Sequence, residues 1–320
     1  MYLLLILAAF LLAVCFALNK IYQNHAGATL KSGFLYNTLL GLVATLIFFA
    51  LNGFKFEITP FSFVLATVFT VLVVAYTLLG FKILSDGSVA VYSIFLMSGG
   101  MIIPYIYGIL FLDEEFSPLR TVGLAVLIFA VVLSNFKEGG ARIKTSKLFM
   151  CIGVFILNGF VGIISKLHQI ETIHTKVSTE AFVMLSEIGK FLFGGIALIV
   201  ICIIERKESI KFREGHNITN EMQENHEVSA EYESNGKALL LKKAKILIPI
   251  IVAAAAVDGI SYFLQLKGAT DLPATVLFPT ITGASMVFST LADVLVFREK
   301  PSKCVIISAA LSFLGTLMFL

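Results

Sequence analysis

The sequence is short of charged residues, and this limits the classes of protein that it can encode. Only 14% of the chain is charged and 58% is hydrophobic. An ordinary soluble protein is about 25% charged and about 45–50% apolar. The difference is too large for a single water-facing globule, so a soluble one-domain fold is excluded.

Cysteine and histidine are also scarce, and neither is arranged to bind a metal ion. The five histidines are scattered, and the four cysteines fall in or beside apolar runs without metal-ligand spacing. We expect Cys15, Cys151, Cys202 and Cys304 to be small core-packing residues. No metal site and no cofactor are predicted.

Signatures of enzymes are missing as well. The chain has no glycine-rich phosphate loop with a lysine, no nucleophile elbow and no zinc-protease helix. Direct ATP-driven transport is therefore disfavoured, and the chain is not expected to be an enzyme. The first apolar run begins at Tyr2 with no basic stretch before it, so we predict a retained span rather than a cleaved signal peptide.

Long apolar runs dominate what is present. A run of about 20 residues can cross a hydrocarbon core about 30 Å thick, and in lipid it must be helical to satisfy its own backbone hydrogen bonds. The predicted fold is therefore an all-α polytopic membrane protein with ten transmembrane helices. The predicted spans are 2–22, 33–52, 61–84, 88–112, 118–136, 147–167, 179–204, 245–266, 271–297 and 302–320.

One connection between the predicted spans is long and polar. Residues 206–244 are rich in Glu, Lys, Arg, Asn and Ser. Low hydrophobicity with dense charge argues against a packed core, so this polar segment is predicted to be a solvated linker.

A short motif occurs twice at the end of an apolar run. Asn19-Lys20-Ile21-Tyr22-Gln23 reappears as Ser165-Lys166-Leu167-His168-Gln169. A second register matches Ala90 with Ala274, Gly99 with Gly283 and Glu115 with Glu299, and the two registers differ by about the length of the polar segment. The sequence therefore predicts two copies of a five-helix unit, 1–137 and 147–320. Because five is odd, the copies should lie in opposite orientations, as in many transporters.

Loop charges predict the orientation in the membrane. Loops after the odd-numbered spans hold most of the lysine and arginine, and this bias remains when the polar segment is left out. The positive-inside rule then places the polar segment in the cytoplasm and both termini outside.

Together with the repeated Asn19-Lys20 and Ser165-Lys166, the stretches from Gly108 to Glu115 and from Val294 to Glu299 carry a family resemblance. With these residues the chain resembles the EamA-like ten-span branch of the drug/metabolite transporter superfamily. The resemblance covers nearly all of the chain except the polar segment. It departs from the family pattern where the glycine before the glutamate is replaced by Glu114 and by Arg298. The residues that carry it are Asn19-Lys20, Ser165-Lys166, Ser88-Val89-Ala90, Gly108 to Glu115, Gly123, Pro273-Ala274 and Val294 to Glu299.

The resemblance implies a transporter of a small organic solute such as an amino acid, a metabolite or a drug-like compound. It also implies the plasma membrane of a bacterium, the lipid bilayer as surroundings and no nucleic-acid partner. Most members of this family are drawn with both termini in the cytoplasm, opposite to the loop charges, so the topology stays open. The direction of transport, the coupling ion and the oligomeric state stay open too.

Three ionisable residues within predicted spans are the leading site candidates. Glu187 and Lys190 lie three apart on span 7 and share a helix face, and Asp258 lies near the middle of span 8. Charged groups at membrane depth are expensive, so they point into the bundle and find partners. They could form a substrate site or a proton-linked switch, or they could be self-satisfied structural groups.

The repeated lysines and several polar residues complete the candidate set. Lys20 and Lys166 could extend towards the headgroups, or they could face a cavity, where a lysine pair would favour an anionic or zwitterionic solute. Further candidates lie in small, polar or aromatic stretches. They are Asn19, Tyr76, Asn158, Tyr262, Ser98 and Thr282.

Acidic residues at the ends of spans are expected to have structural roles. Glu115 and Glu299 close equivalent spans, and Asp113, Glu114 and Asp293 lie nearby. We expect terminal anchors or salt-bridge partners here rather than ligands of a substrate.

The sequence thus favours a secondary active transporter that works by alternating access, with protons as a candidate coupling ion. The solute would bind near the bilayer midplane among spans 1, 3, 4, 6, 8 and 9. Two alternatives are an intramembrane enzyme acting on a lipid-linked substrate and a non-transporting scaffold acting through the polar segment.

Overall fold

Every regular element in the described part of the chain is an α-helix. The computed structural model describes residues 1–27, 29–84, 89–134, 145–215, 226–298 and 300–320. In chain order the helices are α1 (Tyr2–Ala26), α2 (Leu30–Leu51), α3 (Pro60–Leu84), α4 (Val89–Phe111), α5 (Pro118–Ser134), α6 (Thr145–Ile170), α7 (Thr179–Gly215), α8 (His226–Asp271), α9 (Ala274–Leu295) and α10 (Lys303–Leu317).

Eight of these described helices are long and apolar enough to cross a membrane. The other two, α5 and α10, have 17 and 15 residues and pack on each other. Large apolar side chains such as Leu3 and Phe149 stay more than 70% exposed, as expected where lipid rather than water covers the surface. The prediction of a helical, multi-pass membrane protein is therefore confirmed.

The polar segment differs from its prediction as a linker. Helix α7 continues to Gly215 and α8 begins at His226, so most of residues 206–244 extend the two flanking helices. Glu, Lys, Ala and Leu are good helix formers, and an existing helix can be lengthened without a new nucleation cost. Residues 216–225 lie outside the described part of the chain.

Helices of one half of the chain pack mainly on helices of the other half. Helix α1 packs on α8 and α9, and its counterpart α6 packs on α3 and α4. Likewise α2 packs on α8 as α7 packs on α3, and the pairs α2–α7, α4–α9 and α5–α10 each join a helix to its own counterpart. The two halves are therefore interleaved, and neither forms a separate bundle.

The turn between α8 and α9 is held from two sides. The Glu114 carboxylate accepts hydrogen bonds from the backbone N–H groups of Ala274 (2.6 Å) and Thr275 (2.8 Å), at the start of α9. On the other side, Lys166 Nζ donates to the carbonyl oxygens of Ala269 and Leu272, both at 2.7 Å. An acid at a helix N-terminus and a cation at a C-terminus both complement the helix dipole and satisfy orphan backbone groups.

These contacts agree with the structural role expected of Glu114. Asp293 also has a structural partner, because it forms an ion pair with Lys20. Glu115 is exposed within the loop that connects α4 to α5. Its counterpart Glu299 and the motif residue Ser88 lie outside the described residues.

Two glycines of the repeat lie where helices approach closely. A Cβ added at Gly99 on α4 would lie 2.1 Å from the backbone oxygen of Phe155 on α6. A Cβ at Gly283 on α9 would lie 2.2 Å from Thr316 Oγ1 on α10. Both contacts explain why small residues occur at these positions, since membrane helices gain stability by close backbone packing.

We expect Gly99→Ala to destabilise the protein by about 1–3 kcal/mol, because backbone on α6 cannot move aside as a flexible side chain can. The measurement is the melting temperature of the purified protein in detergent. Gly195→Ala on α7 is the matched control, since its nearest neighbour would be Thr38 Cγ2 at 3.7 Å, an ordinary contact. Equal melting temperatures for the two variants would contradict the close packing of α4 on α6.

Candidate functional site

A cavity of about 540 Å³ lies between the two halves of the chain. Its wall includes residues from α1, α3, α4, α6, α8 and α9, the six spans that the sequence analysis named. Helices α2 and α7 also contribute, through Tyr36, Asn37, Leu40 and Lys190. The interleaved packing explains this shared wall, because each half sends helices into contact with the other.

The two ends of the cavity differ in burial. At the end near the α8–α9 turn, Leu266, Ala269 and Leu277 are at most 1% exposed. At the opposite end, Phe16 and Asn37 are exposed. The lining is therefore buried at the α8–α9 turn, here called the closed end, and more exposed where α1 finishes and α2 begins, here called the open end.

The open end is the end that carries the polar extensions of α7 and α8. Lys31 at the start of α2 pairs with Glu205 on α7, with 3.0 Å between Nζ and Oε2. Helix α7 continues beyond this point to Gly215, and α8 begins at His226.

A cluster of three charged residues lies in the middle of the bundle. Lys190 Nζ lies 2.6 Å from Glu187 Oε1 and 3.7 Å from Asp258 Oδ2. The exposed fractions of the side chains are 0% for Glu187, 17% for Lys190 and 25% for Asp258. When all three are ionised, the cluster carries one net negative charge, and Asp258 is its most accessible member.

The hydrogen bonds of the cluster divide it into two parts. Glu187 and Lys190 form a direct pair one turn apart on α7, as their spacing indicates. Asp258 on α8 instead accepts a hydrogen bond from the Cys15 thiol on α1, with 3.6 Å from Sγ to Oδ1. The cluster therefore joins three helices.

Cys15 is a site residue that the sequence analysis did not identify. It was predicted to be a core-packing residue, and it is largely buried, but it also lines the cavity beside Asp258. The sequence could have indicated this position for Cys15 through Asn19, which was already a site candidate. The two residues are four apart and therefore share a helix face.

Aromatic rings form much of the remaining wall. The ring centroids of Tyr262 and Phe69 lie 5.3 Å apart, and the Tyr262 hydroxyl lies 3.1 Å from Ser165 Oγ. Lys190 Nζ lies 5.9 Å from the centroid of the Tyr262 ring. The buried hydroxyl of Tyr36 has no hydrogen-bond partner among the described residues. The wall thus combines apolar faces with a few polar atoms, as small-molecule sites do.

The structure brings most of the predicted candidates together around the cavity. The amide of the candidate Asn158 donates to the carbonyl of Leu96 at 2.8 Å, which fixes its orientation at the wall. Glu187 lies behind the wall, in contact with Lys190. The candidates that line the cavity are Asn19, Tyr76, Asn158, Lys190, Asp258, Tyr262 and Thr282.

Three candidates lie away from the cavity. Lys20 pairs with Asp293 on α9 at 2.9 Å and lies 4.2 Å from the Phe297 ring centroid. Lys166 is 5% exposed and binds carbonyl oxygens at the end of α8. Ser98 is buried in α4 and does not line the cavity. The repeated lysines therefore bind protein groups instead of facing a common cavity.

Metal chemistry has no candidate site within the described ranges. No group of three or more His, Cys, Asp or Glu side chains there could hold a metal ion.

Comparisons with known proteins inform the fold. No protein-family model matches the chain, and no curated protein matches it. A solved structure described as "Crystal structure of protein" is similar, with a TM-score of 0.69 over 98% of this chain and 95% of that chain, at 13% sequence identity. At that identity the likeness shows the fold alone, which a chain of similar length shares.

We expect Lys190→Met to destabilise the protein by about 3–5 kcal/mol, because it leaves Glu187 buried without a compensating charge. The measurement is thermal unfolding of the purified variant. The double variant Glu187→Gln/Lys190→Met should recover much of the loss, since the fully buried carboxylate of Glu187 is removed as well and Asp258 keeps 25% of its side chain exposed.

Lys267→Met is the matched control for this experiment. Lys267 pairs with Glu180 at 3.4 Å, but both side chains are substantially exposed. Such a pair contributes at most about 1 kcal/mol. A Lys190→Met variant as stable as Lys267→Met would show that the buried pair is not a stabilising contact.

Proposed function

We propose that this protein is a secondary active transporter that moves a small organic solute across a bacterial plasma membrane by alternating access. The observation that carries the proposal is the cavity, whose lining is buried at one end and more exposed at the other and includes Lys190 and Asp258 of the charged cluster. Ionisable groups at membrane depth are costly to bury, so a cluster that faces a cavity points to a solute or ion pathway. Membership of the EamA-like branch is part of this proposal.

The interleaved packing supports an inverted repeat. The most extensive helix contacts of α1–α5 match those of α6–α10 when the two sets are exchanged, although the contacts of α6 and α7 with α8 have no comparable equivalent between α1 or α2 and α3 among the described residues. Because each set has an odd number of helices, counterpart helices would run in opposite directions through the bilayer. An inverted repeat allows the closed end and the open end to exchange roles without a new fold.

The transport cycle would interchange two sets of end contacts. In the described state, Glu114, Lys166 and the Lys267–Glu180 pair hold the closed end. Rocking of one repeat against the other would loosen these contacts and close the end near Asn37. The solute in the cavity would then face the opposite side of the membrane.

Asp258 is the proposed coupling residue. It is the most accessible acid of the cluster and contacts Lys190 less closely than Glu187 does. A carboxylate in this position can hold a proton in one half of the cycle and release it in the other. Its charged and titratable neighbours on the other helices are Cys15 on α1, Tyr36 on α2, Tyr76 on α3, and Glu187 and Lys190 on α7.

Solute flux tests the proposal directly. Proteoliposomes with the purified protein would be incubated with a mixed pool of small organic solutes, and their contents analysed by mass spectrometry. We expect at least one solute to accumulate above protein-free liposomes, and Asp258→Asn to reduce its flux by about tenfold or more, since each such factor needs only about 1.4 kcal/mol.

Asp271→Asn is the matched control, because Asp271 ends the same helix outside the cavity. Deleting residues 210–240 should also leave the flux intact, whereas a scaffold that acts through this segment would lose its function. Absence of any accumulation would contradict transport. Flux and pH dependence unchanged in Asp258→Asn would contradict the role of this acid.

Labelling from outside intact cells tests the topology that the loop charges predict. In a cysteine-free variant, Lys237→Cys should react with an impermeant maleimide only after the cells are made permeable. Ile173→Cys is the control, since Ile173 is 89% exposed on the α6–α7 loop at the other end of the bundle, and it should react on intact cells. The reverse pattern would support the orientation that the resemblance implies.

A further inference from the structure

We propose that the cavity selects an organic monocation, meaning a small solute with one protonated amine or quaternary ammonium group on an apolar body. This inference rests on the proposed transport function, and it names the class of solute. It is based on three features: the charged residues that face the cavity, the partners of these residues and the aromatic residues in the rest of the wall.

The charges of the cavity wall leave one carboxylate for a ligand. Among the described residues that line the cavity, Lys190 is the only cation and Asp258 the only anion. The charge of Lys190 is matched most closely by Glu187 at 2.6 Å, behind the wall. Asp258 lies 3.7 Å from Lys190 and is 25% exposed, so its charge remains incompletely matched and accessible.

An anionic or zwitterionic solute lacks a matching group in the same wall. The carboxylate of such a solute needs a cation or a set of converging donors. Lys20 is paired with Asp293, and Lys166 binds the carbonyl oxygens of Ala269 and Leu272, so neither offers its charge to the cavity. Because Asp258, Glu187 and Lys190 together carry one net negative charge when ionised, the cluster as a whole repels a solute carboxylate and attracts a solute cation.

The aromatic residues of the wall can contact both the charged group and the apolar body of an organic cation. Ring faces attract cations through their quadrupole and pack against apolar groups. Lys190 already places its ammonium group 5.9 Å from the Tyr262 ring, which shows that the wall accommodates a cation beside Asp258. The aromatic residues that line the cavity are Phe16, Tyr36, Phe69, Tyr76, Tyr92, Tyr262 and Phe278.

The volume of the cavity limits the size of the solute. About 540 Å³ lies within the range of about 300–1,000 Å³ that is typical of small-molecule sites. This space accepts a body of one or two rings with a single charged group. The single unmatched carboxylate disfavours a polyamine, whose further charges would lie against apolar walls.

Calorimetric titration of the purified full-length protein tests the class with probes matched in shape. The cations are 2-phenylethylamine and benzyltrimethylammonium, and their neutral isosteres are 2-phenylethanol and neopentylbenzene. Phenylalanine and 3-phenylpropanoate serve as the zwitterion and the anion. We expect at least one cation to bind about tenfold or more tightly than its neutral isostere, and the zwitterion and the anion to bind no more tightly than the neutral probes.

Variants of Asp258 then distinguish the effect of its charge on binding from the effect of its shape. Asp258→Asn should abolish the preference for the cation, whereas Asp258→Glu and the control Asp271→Asn should keep it. The melting temperature of each variant shows whether it is folded, and Asp258→Glu keeps the test valid if Asp258→Asn does not fold.

The outcomes distinguish the solute class from the proposed function. Selective cation binding without flux in proteoliposomes would support the class and contradict transport. Flux of an anion or zwitterion, without preferential binding of either cation, would support transport and overturn the class. Equal binding of both cations and their neutral isosteres would also overturn it.

Discussion

Hydrocarbon offers no hydrogen-bond partners, and this constraint shapes most of the polar contacts in the described structure. Backbone groups are satisfied within helices, and the orphan groups at the α8–α9 turn are satisfied by Glu114 and Lys166. Within the bundle, the same constraint pairs Glu187 with Lys190. Asp258 is the acid that this pairing leaves facing the cavity.

The two halves of the chain are interleaved around the charged cluster. Helices α1 and α6 each pack on two helices of the other half, so the charged cluster lies where both halves meet. A relative movement of the halves must therefore change the surroundings of Asp258, since its partners Cys15 and Lys190 lie on different helices. Coupling between solute binding and conformational change needs a contact of this kind, which differs between states.

The repeated motif shows how identical residue types acquire different roles. Lys20 and Lys166 end corresponding helices, yet one pairs with Asp293 and the other caps α8. The recurring motif predicts a duplicated helix, but it does not indicate which neighbours each lysine contacts. Those neighbours depend on α9 and on the α8–α9 turn, which lie far away in the chain.

The sequence by itself determined the class of protein, the approximate positions of the helices and the shared face of Glu187 and Lys190. Each of these depends on hydrophobicity or on spacing within one helix, which local sequence contains. Only the tertiary structure brought Asp258 to Lys190, placed Cys15 in the cavity and turned Lys166 away from it. These contacts join residues on different helices, and their distances depend on how the helices pack, which the spacing of residues along one helix does not specify.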